Sequence, residues 1–177
     1  MPARPPTRDE LYQEAAEVHY PALERLARAY EADPEARRDL LQEIHVALWR
    51  SFEGFDGRCS LRTWVYRVAH NTAVSHVILQ RRHKSQTLVG LEELESVPDD
   101  REGEGAADRR RDVERLSKLI QSLKALDRQV ILSYLEGFDA ASIGEVTGLS
   151  PGNVATKIHR IKNILARRFH EGRCYGE

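Results

Sequence analysis

Residues 139–168 read DAASIGEVTGLSPGNVATKIHRIKNILARR, and this stretch constrains the fold more than any other. Asp139 has the chemistry of an N-cap, and Ile143 and Val146 give the helix it opens two inward residues. Gly148, Leu149 and Ser150 then break the chain, because glycine accepts the left-handed conformation that ends a helix. Ser150 can cap the next helix, and Pro151 fits its first position, where a missing N–H costs nothing. Val154, Ile158, Ile161 and Leu165 make one apolar stripe along that helix. Asn153, Thr156, Lys157, His159, Arg160 and Lys162 occupy its other face. The pattern predicts a helix-turn-helix whose second helix is polar and basic. A solvated surface helix is the plain alternative, but such a helix usually mixes charge signs to gain pairs one turn apart. Here no Asp or Glu occurs from Val146 to His170, which favours a nucleic-acid surface.

The net charge of −1 over 177 residues conceals this polarity. No acidic residue occurs from Gly57 to Leu91, a span that carries Arg58, Arg62, Arg67, Arg81, Arg82 and Lys84. Glu92, Glu93, Glu95, Asp99, Asp100, Glu102, Glu104 and Asp108 then follow against a single arginine. Basic, acidic and basic blocks in succession bear on partners where the total charge does not.

Helical periodicity runs through the rest of the chain, with no alternating strand pattern and no internal repeat. Leu11, Ala15, Val18, Leu23, Leu26 and Tyr30 mark a first helix, which Pro21 is expected to bend or restart, after a loose tail through Arg8. Asp33 and Pro34 open a second, with Leu40, Leu41, Ile44, Ala47 and Leu48 inward and Asp39, Gln42 and Glu43 outward. A loop with glycines and aromatics covers residues 52–59, and Ser60 caps a third helix to about Arg82. Leu61, Trp64, Val65 and Val68 face inward there, leaving Tyr66, Arg67 and His70 outward. Val74, Val77 and Ile78 need cover from another helix or from a partner. Residues 85–112 read as a flexible acidic linker. The expected fold is therefore all-α: one small helical domain at 9–84, the linker at 85–112 and a helix-turn-helix domain at 113–170.

Several function classes recede at this stage. Cys59 and Cys174 lie far apart and outside any metal-ligand spacing, so no metal site or disulfide framework is expected. No Ser/His/Asp set, carboxylate pair or phosphate-cradling glycine loop points to catalysis, so no catalytic residue, enzyme activity or cofactor is expected. No apolar run is long enough to cross a bilayer and no signal-peptide core begins the chain, so a cytoplasmic protein without membrane insertion is expected.

Three blocks, RRDLLQEIHVALWRSFEGF at 37–55, SLRTWVYRVAHNTA at 60–73 and RQVILSYLEGFDAASIGEVTGLSPGNVATKIHRIKNIL at 128–165, resemble the extracytoplasmic-function sigma factors of the sigma-70 family. The resemblance extends from about Tyr20 to Phe169. It implies a promoter-specificity subunit with core RNA polymerase (the β′ clamp coiled coil and β) and promoter DNA as partners, and an anti-sigma factor as regulator. Asp39, Gln42, Glu43 and Trp49 would meet the polymerase. Asn71 would capture an unstacked −10 base, with loop 53–59 as a wall, Arg58, Arg62, Arg67, Arg81 and Arg82 along the strand, and Tyr66 as the exposed aromatic. By helical phase Trp64 belongs to the core. Asn153, Thr156, Lys157, His159, Arg160 and Lys162 would meet the −35 duplex. The chain departs from the family pattern at Ser75, Ile78, Ala155, Asp127 and Gly144, which bears on the promoter sequence it would read. A stand-alone helix-turn-helix regulator and an adaptor that holds polymerase or an anti-sigma protein are the alternative readings.

Overall fold

The computed structural model describes Arg4 and residues 6–87 and 104–171, with the backbone alone described at 81–87, 104–108 and 171. Seven α-helices and one 3-10 turn, with no strand, make up these described residues. The acidic stretch at 88–103, most of the expected linker, lies outside them.

Helix α1 (Arg8–Tyr30) begins one residue before the sequence pattern suggests, with its cap at Thr7 inside the expected loose tail. Thr7 accepts the Glu10 amide on its hydroxyl, while the Glu10 carboxylate accepts the Thr7 amide, a reciprocal capping box. Pro21 does not restart the helix, which is continuous through it. The lost hydrogen bond is offset by Leu23, Leu26, Ala27 and Tyr30, all buried on the C-terminal half. Helix α2 (Pro34–Ser51) has the expected cap, Asp33 accepting the Ala36 amide at 2.7 Å, and buries Leu40, Ile44 and Leu48 completely. Phe52–Gly54 forms a 3-10 turn, with Phe52 buried. Ser60 accepts the Thr63 amide at 3.0 Å and opens α3 (Leu61–Thr87), which extends into the stretch assigned to the linker.

Helix α4 (Glu104–Gln121) begins inside the stretch assigned to the linker, and a short turn at 122–124 separates it from α5 (Ala125–Leu135). Helix α6 (Ala140–Thr147) ends at Gly148, whose φ of 77° lies in the left-handed region that a side chain would strain. Helix α7 (Pro151–Glu171) buries Val154, Ile161 and Leu165 against α4, α5 and α6.

The hydrophobic core joins α1, α2 and α3 at one end and α4 to α7 at the other, and the two halves also meet. Helix α3 packs on α5 and α6, and α1 packs on α4. Gln121 of α4 donates to the Arg28 carbonyl of α1 at 2.9 Å. That contact decides which faces of the chain are open.

Candidate nucleic-acid interface

Helix α3 carries the first set of residues that the sequence singles out. Its inward side holds Val65, Ala69 and Ala73, all fully buried, with Trp64 half-buried, edge-on to Phe55 and donating to Ser51 Oγ at 2.9 Å. Its other side does not face solvent. Tyr66, expected to be the exposed aromatic, is only 2% exposed, and His70 is fully buried. The reason is the second half of the chain. Phe138 packs edge-on to the Tyr66 ring at 4.6 Å between centroids, and Tyr66 donates its hydroxyl to Glu136 Oε2 at 3.1 Å. A helical wheel of α3 alone identifies this face as outer but cannot name what covers it.

The same cover engages the arginines. Arg62 donates to the Glu136 carbonyl and lies 4.2 Å from the Phe138 ring centroid, a cation–π geometry. Arg67 donates to the Glu145 carbonyl at 2.6 Å. Arg58 stays on the exposed loop, paired with Asp56 at 2.8 Å. Arg81 and Arg82 lie on α3, with side chains outside the described residues. Asn71 is exposed on the rim of a groove between α3 (Asn71, Val74, Ser75) and α5 (Ala125, Leu126, Gln129). Val74 and Val77 are half-buried, while Ile78 and the adjacent Leu79 are 47% and 53% exposed.

Glu136 joins the two halves. Besides Tyr66 and Arg62 it binds Arg25, and the Arg25 hydrogen bonds hold its carboxyl below the usual carboxylate range. Behind it, His70 shares hydrogen bonds with Tyr30 Oη at 3.1 Å and Ser133 Oγ at 3.3 Å. Burial pushes the imidazole pKa down to about 3, so the ring is neutral at neutral pH.

On α2, Asp39, Gln42 and Glu43 line one open face together with Val46, Ala47 and Arg50. The Glu43 carboxylate is held from below by buried His76 at 3.0 Å. Trp49 is not part of that lining. It donates to Asp9 at 3.0 Å, under the Arg8 guanidinium at 3.5 Å from the ring centroid, and so is tied to the start of α1.

On α7, Asn153, Thr156, His159 and Arg160 share an exposed face, to which Asn163 adds an amide bonded to His159 at 3.1 Å. Asn163 lies one turn beyond His159, so the periodicity that selected its neighbours could have found it. Lys162 points to the flank, 5.4 Å from the Tyr134 ring centroid. Lys157 is half-buried, its ammonium 2.6 Å from Asp127 Oδ1, and Arg160 donates to Asp127 Oδ2 at 3.2 Å. Nothing in the local sequence announces Asp127 as their partner, thirty residues upstream.

Residues 15–83 match the family model for Sigma-70 region 2, and residues 113–165 match that for Sigma-70, region 4. The chain belongs to the sigma-70 family, in its extracytoplasmic-function branch. The ECF RNA polymerase sigma factor SigG of Mycobacterium tuberculosis is 42% identical over 52 residues, which cover 29% of this chain and 14% of that protein. The ECF RNA polymerase sigma-E factor of Haemophilus influenzae is 26% identical over 145 residues, 74% of this chain and 73% of that one. Among solved structures, CnrH in complex with the cytosolic domain of CnrY aligns with a TM-score of 0.65 at 20% identity, covering 93% of this chain and 90% of that one. The sigma factor RpoE in complex with the anti-sigma factor NepR from Bartonella quintana aligns with a TM-score of 0.66 at 20% identity, covering 93% and 98%. At that identity the two structures establish a common fold. No helix among the described residues is long and apolar enough to cross a membrane.

Proposed function

We propose that this chain is a promoter-specificity subunit of RNA polymerase that binds the core enzyme through α2, reads the −35 duplex with α7 and captures the −10 strand with α3. The observation that carries this reading is the order of its parts. Asn71 on α3 and the polar face of α7 from Asn153 to Lys162 fall, in that order, inside the region 2 and region 4 matches. Nucleotide chemistry stays with the polymerase, and this chain supplies address and strand capture.

In this reading the arrangement seen here is a resting one. A strand tracking Arg62 and Arg67 needs the guanidinium groups that the Glu136 and Glu145 carbonyls now occupy, and stacking needs the Tyr66 ring that Phe138 covers. Separation of the two halves would release all three. Exposed Ile78 and Leu79 in the C-terminal half of α3 support a hydrophobic partner there, consistent with an anti-sigma factor.

The test is a pair of substitutions assayed in holoenzyme. Asn71→Ala should impair strand opening, read by permanganate reactivity near −10, more than closed-complex binding read by footprinting. Arg160→Ala should do the reverse. Equal effects of both variants on both readouts would contradict this division of labour.

A further inference from the structure

We propose that Asp127 is a positioning residue for promoter readout. Its carboxylate fixes Arg160 in the pose that meets a guanine edge, and holds Lys157 away from the phosphates. The inference rests on the reading of α7 as the groove-entering helix.

Asp127 lies in the first turn of α5, a place where an acid commonly serves its own helix dipole. Here its two oxygens turn to α7 instead, one to Lys157 and one to Arg160. The carboxylate is 13% exposed, Lys157 25% and Arg160 59%. Exposure therefore grades from the largely covered acid, through a lysine turned toward it, to an arginine that keeps most of its fork in solvent. A carboxylate beside a DNA-facing surface repels phosphates, and residues 146–170 themselves contain no acid. An acid retained at that point must supply something other than affinity.

What it supplies is orientation. A free arginine can swing between a phosphate and a base, and a phosphate contact carries no sequence information. With one guanidinium nitrogen bonded to Asp127, the remaining donors have a fixed direction, and less rotamer freedom is lost when they dock on guanine O6 and N7. Lys157, which would otherwise add unspecific attraction, is neutralised by the same group.

The experiment uses full-length chain with core polymerase on a promoter library randomised at −35, comparing occupancy of the preferred element with that of a scrambled one across salt concentrations. Asp127→Asn keeps the side-chain shape, and should lower the preferred-to-scrambled ratio about tenfold, the loss of one oriented base contact. Occupancy of the scrambled element should hold or rise, with a steeper salt dependence as Lys157 is freed. Asp127→Glu should recover part of the ratio. An unchanged ratio in Asp127→Asn overturns the proposal, whatever happens to total occupancy. Arg160→Ala separates the two levels. If it abolishes selectivity and Asp127→Asn does not, only the role of Asp127 falls. If it too leaves selectivity intact, the reading of α7 through Arg160 falls with it.

Discussion

Glu136 accepts two hydrogen bonds from Arg25, a residue 111 positions earlier, with Nε to Oε1 at 2.7 Å and Nη2 to Oε2 at 2.8 Å. The pair ties the C-terminal cap of α5 to the C-terminal half of α1. Since Arg25 is 60% exposed, the ion pair by itself adds little. The larger effect comes from the buried Tyr66 hydroxyl that the same carboxylate satisfies.

Glu136→Ala should therefore loosen the contact between the halves. Removing the acceptor leaves the Tyr66 hydroxyl buried and unpaired, a cost of about 1–3 kcal/mol. Small-angle scattering of the free chain should show a larger radius of gyration for Glu136→Ala than for Arg25→Ala. Identical scattering curves for wild type and Glu136→Ala would show that the latch lies elsewhere.

Acid should weaken the fold through His70. In the folded chain the imidazole binds a proton only near pH 3, whereas the unfolded chain binds one near 6.5. The unfolded state thus holds more protons between those values, so stability is full above pH 6.5 and falls as pH drops below it, with a limiting slope of about 1.4 kcal/mol per pH unit. Burial lowers His19 and His45 as well, in the same direction, so the comparison must be with a variant. Urea midpoints measured from pH 7.5 to 5 should fall more steeply for wild type than for His70→Gln. Parallel slopes would mean that His70 is not held neutral.

Gly144 is a packing requirement of the helix-turn-helix. A Cβ built there would stand 2.6 Å from the Leu149 carbonyl oxygen, which belongs to the turn backbone and cannot swing away. Gly144→Ala should cost about 1–3 kcal/mol as the turn shifts. Gly152 in α7 is the control, because a Cβ there meets nothing within 4 Å. Gly152→Ala should be neutral or stabilising by up to about 1 kcal/mol through helix propensity. Thermal melts of both variants check the contrast.

The local signals in the sequence were mostly legible, because caps and periodic stripes act over a few residues. Asp33, Ser60 and Asp139 cap the helices they precede, and Gly148 takes the left-handed turn. Thr7 was missed although its capping partner Glu10 stands three residues on, since the prolines before it suggested a loose tail. What could not be read was contact at long range. Tyr66 and His70 occupy an outer face by helical phase, and they are buried by Phe138, Glu136 and Ser133 from the other half together with His19 and Tyr30 of α1. The pairing of Asp127 with Lys157 and Arg160 is hidden for the same reason. Trp49 sits on the expected helix, but Asp9 and Arg8 draw it away from Asp39, Gln42 and Glu43.

The central claim is that this chain gives core RNA polymerase a promoter address. The direct measurement is transcription in vitro by core polymerase on a fragmented genomic library, with and without the chain, followed by mapping of transcript 5′ ends. The account predicts discrete starts that appear only with the chain and share paired elements near −35 and −10. No chain-dependent start, together with tight binding of the free chain to duplex DNA, would contradict it and mark the protein as a stand-alone regulator.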